Sequence, residues 1–177
     1  HSEADDVDEV AIRIHTTAYQ KLFQPEAVRY RPQTVVDAQF SIPYIIAIAI
    51  LHGRPMPQHF TDAMIRAPEV LALAARIKGT PDDEYEKQYP ARYPTLVTVR
   101  LRDGSEHSSY CDLPSGDPEN PSYQRDPALF GREIEAKIDA LMQSLPAFKD
   151  RRDAILRTTA RLDTLANVTD LTRLLAP

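Results

Sequence analysis

Ser41 and Tyr44 stand three residues apart, a hydroxyl ahead of a phenol, where an apolar run from Ile42 to Leu51 begins. At a helix N-terminus such a pair can meet an anion, because the backbone N–H groups and the dipole favour negative charge there. The same residue types also suit a serine N-cap and a core tyrosine with its hydroxyl paired. Arg29 and Arg31 lie upstream. Two guanidinium forks can clamp a carboxylate bidentately, and two surface arginines can do nothing of the kind. Downstream, Gly116-Asp117-Pro118 and Asn120 form a turn sequence, which either aims backbone N–H groups at a carboxylate or reverses the chain. The chemistry on offer is the binding of a small carboxylic acid. No paired acid and base emerges that would transform it.

Other chemistries lack their residues. With five glycines in the chain, neither the phosphate-cradling nor the dinucleotide-binding pattern occurs. His52 and His59 are seven apart with prolines between them, which is not zinc spacing, so no metal and no cofactor is expected. There is no G-x-S-x-G elbow, and Cys111 reads as a small strand residue with nothing to activate it. The net charge of -5, with no stretch rich in Lys and Arg, argues against nucleic acid. The longest apolar run is about half the roughly 20 residues of a membrane span. One cysteine and an acid-rich N-terminus without a signal peptide point to the cytoplasm. The chain opens on His1 with no initiator Met, as a processed product or a fragment would.

The elements that must hold these residues follow from periodicity. Val10, Ile12 and Ile14 alternate with Ala11, Arg13 and His15, a half-buried strand. A short helix is expected over Thr17 to Phe23, and loop from Gln24 to Gln39. Ser41 then caps a helix from Ile42 to Leu51 that has no polar face, so burial on all sides is expected; Gly53 and Pro55 end it. Helices over Phe60 to Arg66 and Pro68 to Ile77 come next. A polar stretch from Lys78 to Pro94 has room for a short edge strand. Val97, Val99 and Leu101 alternate up to Asp103-Gly104, which predicts a two-residue type I′ hairpin pairing Val97 with Tyr110 and Arg100 with His107. The return strand should reach about Leu113. After that, Phe130, Ile134, Ile138, Leu141 and Leu145 recur at helical spacing, and Ile155, Leu162, Leu165, Leu171, Leu174 and Leu175 extend the stripe. The expected fold is α+β: a small mixed or antiparallel sheet with helices on one side over residues 1–124, then C-terminal helices over 125–177. A small sheet is not expected to cover the tail's apolar stripes alone. Fifteen prolines imply short elements joined by ordered irregular segments.

Asp37 to Gly53, D-A-Q-F-S-I-P-Y-I-I-A-I-A-I-L-H-G, resembles the signature of the MmgE/PrpD family, which includes 2-methylcitrate dehydratase, cis-aconitate decarboxylase and iminodisuccinate epimerase. The D-G hairpin from Leu96 to Tyr110, the G-D-P-x-N-P loop from Gly116 to Pro121, a helix with Lys137, and L-D-x-L-x-x-V-x-x-L from Leu162 to Leu171 follow in the family's order. The resemblance implies a smaller α+β lid that closes over a large helical domain, with the active site between them and the last helices returning to that domain. It implies that Tyr44 faces substrate, followed by Ser41, with the Gly116-Asp117-Asn120 loop shaping the lid. The family's helical half, with its catalytic Asp, Thr and His positions, has no counterpart here; neither does the K-x-Y-P-x-C-x-x-x-H stretch, so His1 is not assigned to that histidine. The expected function is the lid of a cofactor-independent lyase acting on small di- or tricarboxylic acids, dehydratase first, decarboxylase or epimerase behind it. A partner carrying the helical half is expected, and homo-oligomers are common in the family. The alternative is an interaction module, or an isolated fragment, that binds through its helical face and catalyses nothing.

Overall fold

The computed structural model describes residues 3–143 and 145–176, so His1 lies outside the described residues. The chain forms two compact units, His1–Asp126 and Pro127–Pro177.

The first unit is built on a four-stranded mixed sheet in the order β2-β1-β3-β4. A short helix α1 (Glu3–Asp6) leads into β1 (Val7–His15), whose Val10, Ile12 and Ile14 point into the core as the alternation requires. The chain then runs through α2 (Thr16–Leu22), α3 (Glu26–Arg29), α4 (Val35–Gln39), α5 (Ile42–His52) and α6 (Pro68–Ala74). It returns as β2 (Ile77–Asp82), parallel to β1 with Val10 opposite Ile77. The crossover helices supply the core: Ala18, Tyr44, Ala47, Ile48, Val70, Leu73 and Ala74 close over β1 and Ile77. After α7 (Asp83–Glu86), the antiparallel pair β3 (Thr95–Leu101) and β4 (Glu106–Cys111) completes the sheet, and α8 (Pro121–Arg125) ends the unit. The opposite sheet face is polar; Arg100 there reaches Glu106 at 2.8 Å and Glu9 at 3.7 Å. The second unit contains α9 (Pro127–Met142), α10 (Arg152–Thr159) and α11 (Thr169–Leu175), with Ile134, Leu145, Leu162 and Leu175 exposed.

Several local expectations need correction. The stretch expected as loop holds α3 and α4, because Thr34 and Asp37 close a capping box at α4. The helix expected over Phe60 to Arg66 is two 3-10 turns, Pro57–His59 and Met64–Arg66. The next helix stops at Ala74, and Ile77 belongs to β2, where the parallel neighbour claims it. The hairpin register is one residue off the expected one: Val97 faces Ser109, and Arg100 faces Glu106. The loop has three residues, with Leu101 N–H bonded to Ser105 O at 2.9 Å and Gly104 at φ 87°. That is the turn whose last residue adopts the left-handed conformation, rather than the type I′ turn. β4 accordingly ends at Cys111, short of Leu113. Finally, α5 is not enclosed on all sides. Tyr44, Ala47 and Ile48 are buried, whereas Ile45 and Ala49 on the other face are only half-buried.

Candidate functional site

The signature helix organises most of the candidate residues. Ser41 is fully buried at the N-cap of α5, where its Oγ accepts the Tyr44 N–H at 3.1 Å and donates to the carbonyl of Arg29. One hydroxyl thus fixes the start of α5 and ties it to the end of α3. The Arg29 side chain turns back, its Nε donating to Gln24 O at 3.0 Å. Arg31 is exposed. Ser41, Arg29 and Tyr44 therefore share one network, and among the described residues no hydrogen bond joins Arg31 to it.

Tyr44 has no exposed surface. Its hydroxyl donates to the backbone carbonyl of His59, and its ring packs 5.8 Å from Phe60. Burial pushes the phenol up from its usual range, so it stays protonated and able to donate. The phenol thus reaches from the first turn of α5 to the far end of the segment that follows the helix.

That segment contains an arrangement that sequence spacing did not suggest. Gly53 ends α5 with φ 79°, and the chain reverses through Pro55 and Pro57. His59 is thereby carried back against His52, the two rings stacked at 4.9 Å and nearly parallel at 13°. His59 Nδ1 accepts the Met56 N–H at 3.0 Å. Burial, and after it the neighbouring His52, hold the His59 imidazole below the usual histidine range. The available signal was the turn residues between the two histidines. Spacing counted along an extended chain hides a reversal that brings its ends together.

A third histidine sits at the C-terminal end of β1. His15 is buried, stacked 4.6 Å from Tyr89 and edge-on to Tyr93 at 6.2 Å. Its Nδ1 lies 3.4 Å from Glu86 Oε2 without the alignment of a hydrogen bond. Glu86 is held by Thr17, whose N–H reaches Oε2 at 2.7 Å and whose hydroxyl donates to Oε1. Those two bonds, with a smaller contribution from His15, keep the carboxyl below its usual range. The cluster clamps α7 onto the β1–α2 junction.

The Gly116 loop satisfies itself. Gly116 N–H donates to the Tyr123 hydroxyl at 2.6 Å, and Asp117 Oδ1 accepts the Glu119 N–H at 2.9 Å. Asn120 caps α8 through Oδ1 and donates through Nδ2 to Leu113 O at 2.7 Å. No hydrogen bond joins this loop to the Ser41–Tyr44 network among the described residues. No group of three or more His, Cys, Asp and Glu suited to a metal ion occurs among the described residues, and no described helix is long and apolar enough to cross a membrane.

A profile of the MmgE/PrpD C-terminal domain matches residues 1–162. No curated protein matches the chain. The profile match takes in the whole first unit, from β1 through the signature helix, the hairpin and the self-bonded glycine loop, and continues into the tail helices; the chain belongs to the MmgE/PrpD family.

Proposed function

We propose that this chain is the substrate-covering part of a cofactor-independent lyase acting on small di- or tricarboxylic acids, a dehydratase before a decarboxylase or an epimerase. The profile match over residues 1–162 carries this reading. Chemistry of this kind removes a proton α to a carboxylate and stabilises the enolate-like charge that develops. A lid contributes by holding carboxylates and excluding water. The groups that move the proton come from a helical half supplied by another domain or subunit. Two features support that division of labour: the half-buried face of α5 and the exposed apolar residues of α9 to α11. Within this reading Tyr44, Ser41, Arg29 and Arg31 form one part of the lid, and Gly116, Asp117 and Asn120 shape another.

One observation favours a second reading, an interaction module that catalyses nothing. Ser41, Tyr44, Gly116 and Asn120 already spend their polar groups inside the unit. Native mass spectrometry on the tagged chain recovered from its own cells separates the two. A stable complex with a larger helical chain that turns over 2-methylcitrate or cis-aconitate establishes the lyase. A partner complex inert on both acids establishes the module.

A further inference from the structure

The bond from Tyr44 to the His59 carbonyl fixes the backbone of one histidine, and the surroundings fix its ring. Nδ1 accepts a backbone N–H from Met56 at 3.0 Å, so it carries no proton. The proton of the neutral ring is therefore assigned to Nε2 by the bond that Nδ1 accepts. One face of the ring is stacked on His52. Nε2 has no hydrogen-bond partner among the described residues and is not enclosed, so it presents an N–H to solvent. His52 and the Tyr44 phenol are the titratable groups in contact with His59, and no ion pair reaches it among the described residues. With burial and His52 both disfavouring the charged ring, His59 is a neutral donor at neutral pH.

Its place in the fold gives that donor a direction. Ile45, Ala49 and His52 follow one another at helical spacing, so the half-buried stripe of α5 ends in the imidazole stacked on His59. The open apolar face and the free N–H are thus contiguous. A locked neutral imidazole suits an anionic oxygen: it can polarise the oxygen without carrying a charge that titrates away.

We infer that His59 is a carboxylate-binding residue of this chain, its Nε2–H donating to one carboxylate of a small polycarboxylic acid, with Tyr44, the Met56 N–H and His52 as its positioning groups. Only the class of the ligand rests on the lyase reading; the orientation of the donor does not.

The test is long-range 1H–15N correlation spectroscopy on the histidine-labelled 177-residue chain at pH 7, with tricarballylate as the probe. The expected spectrum shows His59 as the Nε2–H tautomer, titrating below the ordinary value of about 6.5. Its resonances move saturably as tricarballylate is added. His59→Asn keeps an acceptor for the Met56 N–H and removes the outward donor. It should fold normally and weaken tricarballylate about tenfold or more, the loss expected for one hydrogen bond to a charged group. His59→Gln, which retains an amide near the Nε2 position and loses the acceptor, should restore part of the binding. A mixed or Nδ1–H tautomer overturns the inference, as does tricarballylate that leaves His59 unmoved or binds His59→Asn equally well. If a reconstituted complex is active and His59→Asn changes neither its kcat nor its KM, the inference alone fails. If the complex is inert while His59 still responds to tricarballylate, the inference stands and the lyase assignment falls.

Discussion

Tyr44→Phe removes one oxygen from a side chain with no exposed surface, and its cost depends on what that oxygen leaves behind. The ring stays, as does its packing against Phe60. The His59 carbonyl loses its one side-chain donor among the described residues. A neutral intramolecular hydrogen bond contributes about 1 kcal/mol net, and a buried acceptor left without a partner costs about 1–3 kcal/mol. The carbonyl lies in a half-buried segment, so water replaces part of the bond, and a loss of about 1–2 kcal/mol is expected. With a urea slope of about 1–3 kcal/mol per M, the midpoint should fall by roughly 1 M while the slope stays the same. All eight tyrosines lie in the first unit, so tyrosine fluorescence follows that unit alone. A phenol whose purpose is to meet substrate behaves in the opposite way. Its removal leaves stability unchanged or raised, because functional sites commonly sacrifice stability. An unchanged or higher midpoint for Tyr44→Phe would therefore refute the positioning role and return the hydroxyl to the substrate.

The remaining predictions concern the core, the open face and the alkaline limit. A Cβ at Gly79 would lie 2.7 Å from the ring of Phe23, itself buried. Gly79→Ala should therefore cost about 1–3 kcal/mol by overpacking, against the gain of about 0.5–1 kcal/mol usual for replacing a strand glycine. In urea melts Phe23→Leu should relieve most of that cost, and strictly additive effects would contradict the contact. Ile45→Asp on the half-buried face should cost the isolated chain about 1–2 kcal/mol, part of what full burial of an isoleucine contributes, and leave it folded. It should abolish capture of the helical partner in a pull-down, and unaltered capture places the partner elsewhere. Tyr30 donates to Ile77 O at 2.8 Å, and burial, then Glu26, push its phenol up to about 12. A raised folded value means that its contribution is complete below about pH 10, the unfolded value, and is lost as pH climbs toward 12. Urea midpoints should drop across that window in the wild type and less in Tyr30→Phe; equal drops exclude this phenol as the cause.

The elements that were legible in the sequence are those whose determinants are local. The cap at Ser41, the terminator at Gly53 and the alternation of β1 each involve residues within one or two turns of each other. Strand β2 was legible only as room for an edge strand. Ile-Lys-Gly-Thr-Pro-Asp has little intrinsic strand character and becomes a strand because β1 offers it a parallel ladder. The hairpin register slipped because Asp103-Gly104 fits two loops: the glycine can be the second residue of a two-residue turn or the left-handed third residue of a longer one. Only the pairing of β3 with β4 decides between them. The direction of the Tyr44 hydroxyl was open for the same reason. A phenol in the first turn of α5 reaches either solvent or the returning chain, and the prolines after Gly53 bring that chain within reach.

That reversal also explains how one helix can serve two purposes. An all-apolar helix buried on every side has no surface left for function, and a helix with a polar outer face docks nothing. α5 does neither. Its inner face, Tyr44, Ala47 and Ile48, fills the core, and its outer stripe remains hydrophobic until His52. Leaving Ile45 and Ala49 half-exposed is unfavourable in an isolated unit and favourable once another surface covers them. The polar group at the end of the stripe is not an exposed charge, which burial would penalise, but the His59 imidazole, held neutral beside His52 with its inner nitrogen already satisfied. A covering surface can therefore close over α5 without stranding a charge, while His59 keeps one N–H for whatever anion is enclosed. Replacing His52 with Lys tests that logic. The ammonium would resist enclosure, so partner capture should weaken about tenfold or more while the isolated fold is unchanged, and full capture would show that the covering surface stops short of the histidines.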